Sequence, residues 1–552
     1  MTTEYVIELA EYIVDQSRIV DRLVTAYRTS NRGAKPPRNK IRCLLIGMFL
    51  TAHIERTMML AVVHRTLMKL PIDTQRRLGI VHPTTLEPLI SMADLYNLTR
   101  TLKDKLSWID TPDSNIPVGA HDDRRDAVME CCDAVMDVFP SNWESSTFSI
   151  DATGLHAWGR SIPKRVTEIV DSLDLAGLDQ ATKRQLIMSE GSDITADMLS
   201  ERKEWEARWG GKTSKAGAEE RFFGYHEHTM VLSTPHTMED GEIPPLIQRF
   251  RLTAANADVV APTLDMIDTA PGKITDILVD RHYHYKQFDR WARQLAARHV
   301  TQHFDLRENE LGFTEDQSLR WAAGVPHCPG TPDKYGELAR PALGAPEDEK
   351  QTFKNNIERR QAYALSQHSR PNADGQRRVQ CPALAGKVGC PLRAGTVEVA
   401  IKNNLPTVEQ PPSIESHPQL PKCCTQQTVT VTPADSIRKL EQPFYWGSEE
   451  WEQSYRRRAY VEGSYGNRKN PATENVDRGQ NQVFGLVWLH IAHTMINASY
   501  NVRRLVTWAA QHPKHPNAQH PLCQQPDQTA DVVSVTMTTD EYRQLRDIDN
   551  AA

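Results

Sequence analysis

From Ser145 onward the apolar residues stop recurring every three or four positions. They fall instead into short blocks, in SSTFSIDATGLHAWG (145 to 159), FFGYHEHTMVLST (222 to 234), LIQRFRLTAA (246 to 255) and DILVD (276 to 280). Such blocks, rich in β-branched and aromatic residues, predict strands. VVAPTLDMID (259 to 268) and KQFDRWARQLAARH (286 to 299) have helical spacing. Strands interleaved with helices predict an α/β fold, a mixed sheet flanked by helices.

The first 120 residues carry apolar residues at helical spacing throughout, as in VIELAEYIVDQSRIVDRLVTAY and LLIGMFLTAHIERTMMLAVVHRTL, and predict an N-terminal all-helical domain over 1–120. The α/β part runs over 121–306. From 307 to 445 the pattern dissolves into Pro- and Cys-bearing sequence, expected to be an inserted subdomain. Helical spacing resumes over 446–510 as the second part of the α/β domain, and the His-, Pro- and Gln-rich segment 511–552 is expected to be a disordered tail.

The N-terminus has acidic residues in its apolar part and no basic start, so export is not expected. Two uncharged apolar runs read as buried helices: CLLIGMFLTAH (43 to 53) is too short to span a bilayer, and VFGLVWLHIAHTMINASYNV (483 to 502) carries two His and two Asn. Nine cysteines, an odd number absent from long regions and clustered late, are not a disulfide framework and fit a reducing cytoplasm. The net charge of -6 gives no general attraction to nucleic acid. Distribution points the other way, because residues 27–42 hold six basic residues and no acid, and a second basic region runs from Lys354 to Arg393. A single charge run is ordinarily a solvated face.

A third basic stretch, SYRRRAYVEGSYGNRKN (454 to 470), contains one carboxylate, Glu462. Tyr455, Arg458, Glu462 and Lys469 are spaced so that a continuous helix would carry them on one stripe. Gly463 and Gly466 weaken that helix beyond Glu462. The plain alternative is an exposed Arg and Glu pair. Asp151 and Asp280 each end a strand-like run, where a carboxylate either caps a turn or stands at the edge of the sheet where chemistry on α/β folds is sited.

The Tyr-(2)-Arg-(3)-Glu-(6)-Lys spacing resembles the signature of bacterial insertion-sequence transposases with an Asp-Asp-Glu active site, matched at Tyr455, Arg458, Glu462 and Lys469. IDATG resembles the block bearing that family's first Asp. ILVDRHYHY resembles the block bearing its second, with Tyr283 three residues after Asp280, and FFGYHEHTMVL resembles the strand between them. The resemblance covers about 145–306 and 446–505. It implies a ribonuclease H-like sheet with Asp151, Asp280 and Glu462 as catalytic residues holding two Mg²⁺ ions, for which Mn²⁺ can substitute. It also implies DNA contacts from Tyr455, Arg458 and Lys469, and activity on double-stranded DNA (transposon ends and target) as a homodimer on paired ends, in the cytoplasm at the nucleoid. Two ions can clamp a phosphodiester and stabilise both attacking and leaving oxygens. The alternatives are a ribonuclease H-like nuclease and a catalytically silent, transposase-derived DNA-binding protein.

Cys381, Cys390, Cys423 and Cys424 could hold a structural Zn²⁺, with His417 as a substitute and His327 and Cys328 as outside candidates. Four unligated cysteines in a small core are the alternative. His156, His226 and His228 are expected to pack, since two-ion chemistry needs no His base, and Trp291, Trp321 and Trp446 are expected in cores. No phosphate-cradling GxxxxGK[ST] loop occurs, so ATP dependence is not indicated.

Overall fold

A computed structural model of the chain describes residues 3–27, 37–108, 120–159, 206–213 and 219–523 except 343, 373 and 414–418, with 177, 182 and 204 singly. Its centre is a mixed sheet of six strands: β1 (Thr147–His156), β2 (Arg208–Thr213), β3 (Glu219–Ser233), β4 (Ile247–Ala254), β5 (Asp276–Leu278) and β6 (Thr301–His303). The long β3 pairs antiparallel with β1 along one edge and with β2 and β4, end to end, along the other. On the far side of β1, β5 and β6 follow in parallel. The sequence pattern does not predict β2 or β6. Two glycines interrupt β2, and β6 is the three-residue polar segment Thr-Gln-His.

Gly224 lets the sheet close where β3 crosses β1, because an added Cβ there would lie 1.9 Å from the Leu155 carbonyl oxygen. Backbone cannot step aside as a flexible side chain can. Gly224→Ala is therefore expected to destabilise the fold by about 3 kcal/mol, read as a lower denaturation midpoint. A midpoint equal to that of the parent chain would contradict this packing.

Among the described residues seven α-helices precede the sheet: α1 (Thr3–Gln16), α2 (Ile19–Tyr27), α3 (Arg38–Leu50), α4 (Leu60–Met68), α5 (Ile72–Leu78), α6 (Met92–Leu106) and α7 (Ala120–Met136). One hydrophobic core runs from Ile7, Leu44 and Leu102 through Val135 to Ile150 and Ile277, so the helices and the sheet share an interior. Arg251 of β4 joins the two layers by a bidentate ion pair with Asp133 of α7, both bonds 2.8 Å. Buried arginines are kept in such positions only by full pairing.

The apolar run at 483–502 belongs to a helix, Leu486–Gln511, buried along most of its length. Its polar residues complete the β4 strand. Asn501 pairs with both the N–H and the carbonyl of Ile247, each at 2.8 Å, and His490 Nε2 accepts from the Leu252 N–H at 3.1 Å. Burial pushes His490 down to about 3, so it stays neutral and donates from Nδ1 to the Leu486 carbonyl. Such residues protect an otherwise open sheet edge. Among the described residues no helix is long and apolar enough to cross a membrane.

Residues 512–523, in the segment whose composition predicts disorder, pack back on the helices, with Leu522 fully buried and His520 edge-on to Tyr12. Leu522 and Cys523 bring enough apolar surface to hold a polar segment in place. Residues 524–552 lie outside the described residues, as do His417 and residues 28–36 of the first basic segment.

The insert has its own small core. Two three-stranded antiparallel sheets, β7 (Thr314–Asp316), β8 (Leu319–Ala322) and β9 (Val325–His327), then β10 (Ser366–Gln367), β11 (Arg377–Gln380) and β12 (Thr428–Val431), surround Trp321, Tyr363, Val379 and five cysteines. Trp291, Trp321 and Trp446 are all buried, as expected of core residues.

Candidate functional site

Asp151 lies on β1 and Asp280 just past the end of β5. The parallel register pairs Thr147 with Asp276, Phe148 with Ile277 and Ser149 with Leu278. Continued two residues further, it sets Asp280 level with Asp151. The turn after Asp280 uses one of its oxygens: Oδ1 accepts from the His282 N–H at 2.8 Å. Capping and placement at the sheet edge thus coexist in this residue.

The third carboxylate arrives on a helix that crosses β1 and β3. Ser448 caps the helix Glu449–Tyr455, accepting from the Trp451 N–H, with Glu449, Glu450 and Glu452 in its first turn. The chain tightens to a single 3₁₀ turn over Arg456–Arg458 and continues as the helix Ala459–Lys469. The stripe is therefore not carried by one continuous α-helix, although Arg458 and Lys469 both bond to β1, at Asp151 and Thr153. The helix does run through both glycines. A Cβ at Gly463 or Gly466 would meet nothing within 4 Å, so they lie on the open face and cost roughly 1 kcal/mol each in propensity.

Tertiary bonds offset that cost. Tyr465 Oη donates to the Asp151 carbonyl at 2.6 Å, Lys469 Nζ to Thr153 Oγ1 at 2.6 Å, and Ser149 Oγ to the Arg457 carbonyl at 2.8 Å. Underneath, Arg468 donates to Glu227 Oε1 and to Asn497 Oδ1 at 2.6 Å, both acceptors being buried. Burial opposes the Glu227 charge, but Arg468 and His493 hold its carboxyl well below the usual carboxylate range. Tyr465, Arg468 and Glu227 escape a search for exposed chemistry. Their signal is spacing: Val461, Tyr465 and Arg468 form the inward face of the helix that carries Glu462.

Arg458 links two of the three carboxylates. Nη2 donates to Asp151 Oδ2 at 3.0 Å and Nη1 to Glu462 Oε1, with Asp151 18% and Glu462 55% exposed. Burial pushes the Asp151 carboxyl up to about 7, with Arg458 opposing and the charges of Asp280 and Glu462 adding to the rise. Tyr455 stacks on Trp451 at 5.0 Å, and burial raises its phenol, with Asp305, Asp280 and Asp151 contributing. Tyr283 is buried beside the same carboxylates, and Asp151 contributes to raising its phenol after burial. Asp151, Asp280, Glu462, Tyr455 and Arg458 are thus one electrostatic neighbourhood, which Lys469 joins through Thr153. Among the described residues no group of three or more His, Cys, Asp or Glu side chains is arranged to hold a metal ion. The cation between Asp151 and Glu462 is the Arg458 guanidinium.

In the other basic regions several of the described cations are paired with carboxylates. Arg38 pairs with Asp21, Lys40 with Asp94 at 2.6 Å and Arg42 with Asp15 at 2.6 Å. In the later region Lys354 pairs with Glu452 at 2.9 Å and Arg377 with Glu441 at 2.6 Å, while buried Arg360 bonds Tyr445 and the Leu311 carbonyl. His228 is buried in the sheet and pushed down to about 3 by burial, so it is a neutral partner of Thr253. No family, curated protein or solved structure matches the chain.

Proposed function

We propose that this protein is a DNA transposase whose Asp151, Asp280 and Glu462 form an Asp-Asp-Glu active site on a ribonuclease H-like sheet. The observation that carries this reading is the register of β1 and β5, level at Asp151 and Asp280, beneath the helix bearing Arg458 and Glu462. The order β4, β3, β1, β5, β6, antiparallel in its first three strands and parallel in its last three, supports a ribonuclease H-like sheet. Fold alone does not fix function, so the weight rests on the side chains.

The donor set suits hard divalent cations, since it offers carboxylate oxygens alone. Its electrostatics suit them as well: anions crowd a partly buried Asp151 whose charge is disfavoured. Mg²⁺ ions held there would stabilise charge on the phosphate and activate an oxygen nucleophile. Arg458, already hydrogen-bonded to two carboxylates, would exchange them for a phosphate oxygen, a ligand its planar fork also fits. Lys469 and Tyr455 would position the same strand beside the cut bond.

The pH dependence has a definite sign. The Asp151 carboxyl is raised to about 7, against roughly 3.9 in an unfolded chain. Its contribution to stability is therefore fully present below about pH 4 and lost as pH rises through about 7. Cation binding selects the ionised form, so it should release a proton below pH 7 and tighten as pH rises toward that value. Calorimetry in buffers of different ionisation enthalpy reads this release, which Asp151→Asn should abolish. Identical heats in all buffers at pH 6 would count against the assignment.

The function itself is tested with duplex DNA ending in short inverted repeats sought in the sequence on either side of the gene. With Mg²⁺ the purified chain should nick the repeat ends and join the freed 3′-hydroxyls to target DNA. Cleavage without joining would favour a nuclease, and end binding with neither would favour a silent DNA-binding protein.

A further inference from the structure

Among the described residues five of the seventeen buried members of the insert's core are cysteines, namely Cys328, Cys381, Cys390, Cys423 and Cys424, and all are free thiols. Three of them begin Cys-Pro-X segments: Cys328-Pro329-Gly330, Cys381-Pro382-Ala383 and Cys390-Pro391-Leu392. Each opens a tight turn, closed by Thr331 N–H on the Cys328 carbonyl (2.9 Å), Ala385 N–H on Cys381 (3.0 Å) and Arg393 N–H on Cys390 (2.9 Å).

The turns converge. β11 pairs Gln380 with Thr428 of β12 and with Ser366 of β10, so Cys381 leaves the sheet where the chain from Cys424 enters it. Cys328 N–H donates to the Tyr363 carbonyl, and Leu365 N–H to Pro326, which brings the first turn to the same edge. Arg393 Nη2 donates to the carbonyls of Cys423 (3.0 Å) and Gln426 (2.6 Å), tying the Cys390 turn to the Cys424 turn. Cys328 lies in the electrostatic reach of Cys381, Cys424 and Cys390, and Cys390 in that of Cys381 and Cys424.

We propose that Cys328, Cys381, Cys390 and Cys424 are the four ligands of a structural Zn²⁺ that closes the insert. Cys423, whose sulfur is 3.9 Å from that of Cys424, packs beside the site. Relative to the set expected from spacing, Cys328 replaces Cys423. The sulfurs do not enclose an ion in this structure. Binding removes four thiol protons and leaves the Zn(Cys)₄ unit with a net charge of −2. Four thiolates select a soft-tolerant tetrahedral ion over Mg²⁺.

The test uses the full chain, expressed with zinc and purified without chelator. Elemental analysis should find about one zinc per chain, and the cobalt-substituted chain should show thiolate-to-cobalt charge transfer with tetrahedral d–d bands. Cys328→Ser should lose the zinc and Cys423→Ser keep it, while Asp151→Asn keeps it too. A folded parent chain without zinc, or cobalt bands lacking thiolate character, would overturn the site. Zinc retained by Cys328→Ser would overturn the ligand set. The cobalt spectrum of the parent chain decides even where a variant fails to fold.

Discussion

Asp151→Asn is expected to lower DNA cleavage and joining by roughly 10³-fold or more, with end binding retained. Its second consequence distinguishes a catalytic carboxylate from a structural one. Asp151 is a partly buried acid raised to about 7, beside Asp280 and Glu462, so at pH 8 the fold carries an ionised group in a place that disfavours it. Asparagine keeps the shape and removes the charge. Arg458 retains Glu462 as its partner and is itself 20% exposed. The variant should therefore be inactive yet melt at the same temperature as the parent chain or above it at pH 8, the usual sign of stability given up for activity. An inactive variant that also melts well below the parent chain would mark Asp151 as a structural residue. Full activity would remove it from the site.

Arg468→Met should have the largest effect on stability. The guanidinium is 1% exposed and bonds Glu227, itself 1% exposed, together with Asn497. Removing one partner of a buried pair leaves an uncompensated charge, at a cost of about 3–5 kcal/mol. His493 Nδ1 lies 3.4 Å from the same Glu227 oxygen. The expected result is a sharp fall in the denaturation midpoint, with DNA chemistry lost because the helix bearing Glu462 is no longer seated. Adding Glu227→Gln should restore much of the midpoint, since the two residues act as a unit. If the double variant is no better than the single one, the cost lies in packing around Arg468 and not in the stranded carboxylate.

Strand and helix character along the chain was legible because burial on one face imposes a period on apolar residues. FFGYHEHTMVLST and LIQRFRLTAA are paired strands, and the uncharged run at 483–502 is a buried helix. β2 and β6 were not, since their strand character comes from neighbours and not from their own residues. Charge runs left their pairing partners unread. A local reading cannot see that Asp21, Asp94 and Asp15 wait for Arg38, Lys40 and Arg42, or that Glu441 waits for Arg377. Propensity misjudged Gly463 and Gly466 for the same reason: the bonds of Tyr465 and Arg468 that seat the helix reach residues more than two hundred positions away.

Residue type and spacing, both local properties, fixed the period of most strands and helices and singled out the carboxylates and cations of the proposed site. Only the tertiary structure decided that Asp280 stands level with Asp151, that Arg458 lies between Asp151 and Glu462, and that Cys328 shares one core with Cys381, Cys390 and Cys424. Those facts depend on strand register and helix docking. Both are set by the summed burial and pairing of distant segments, which no short window of sequence contains.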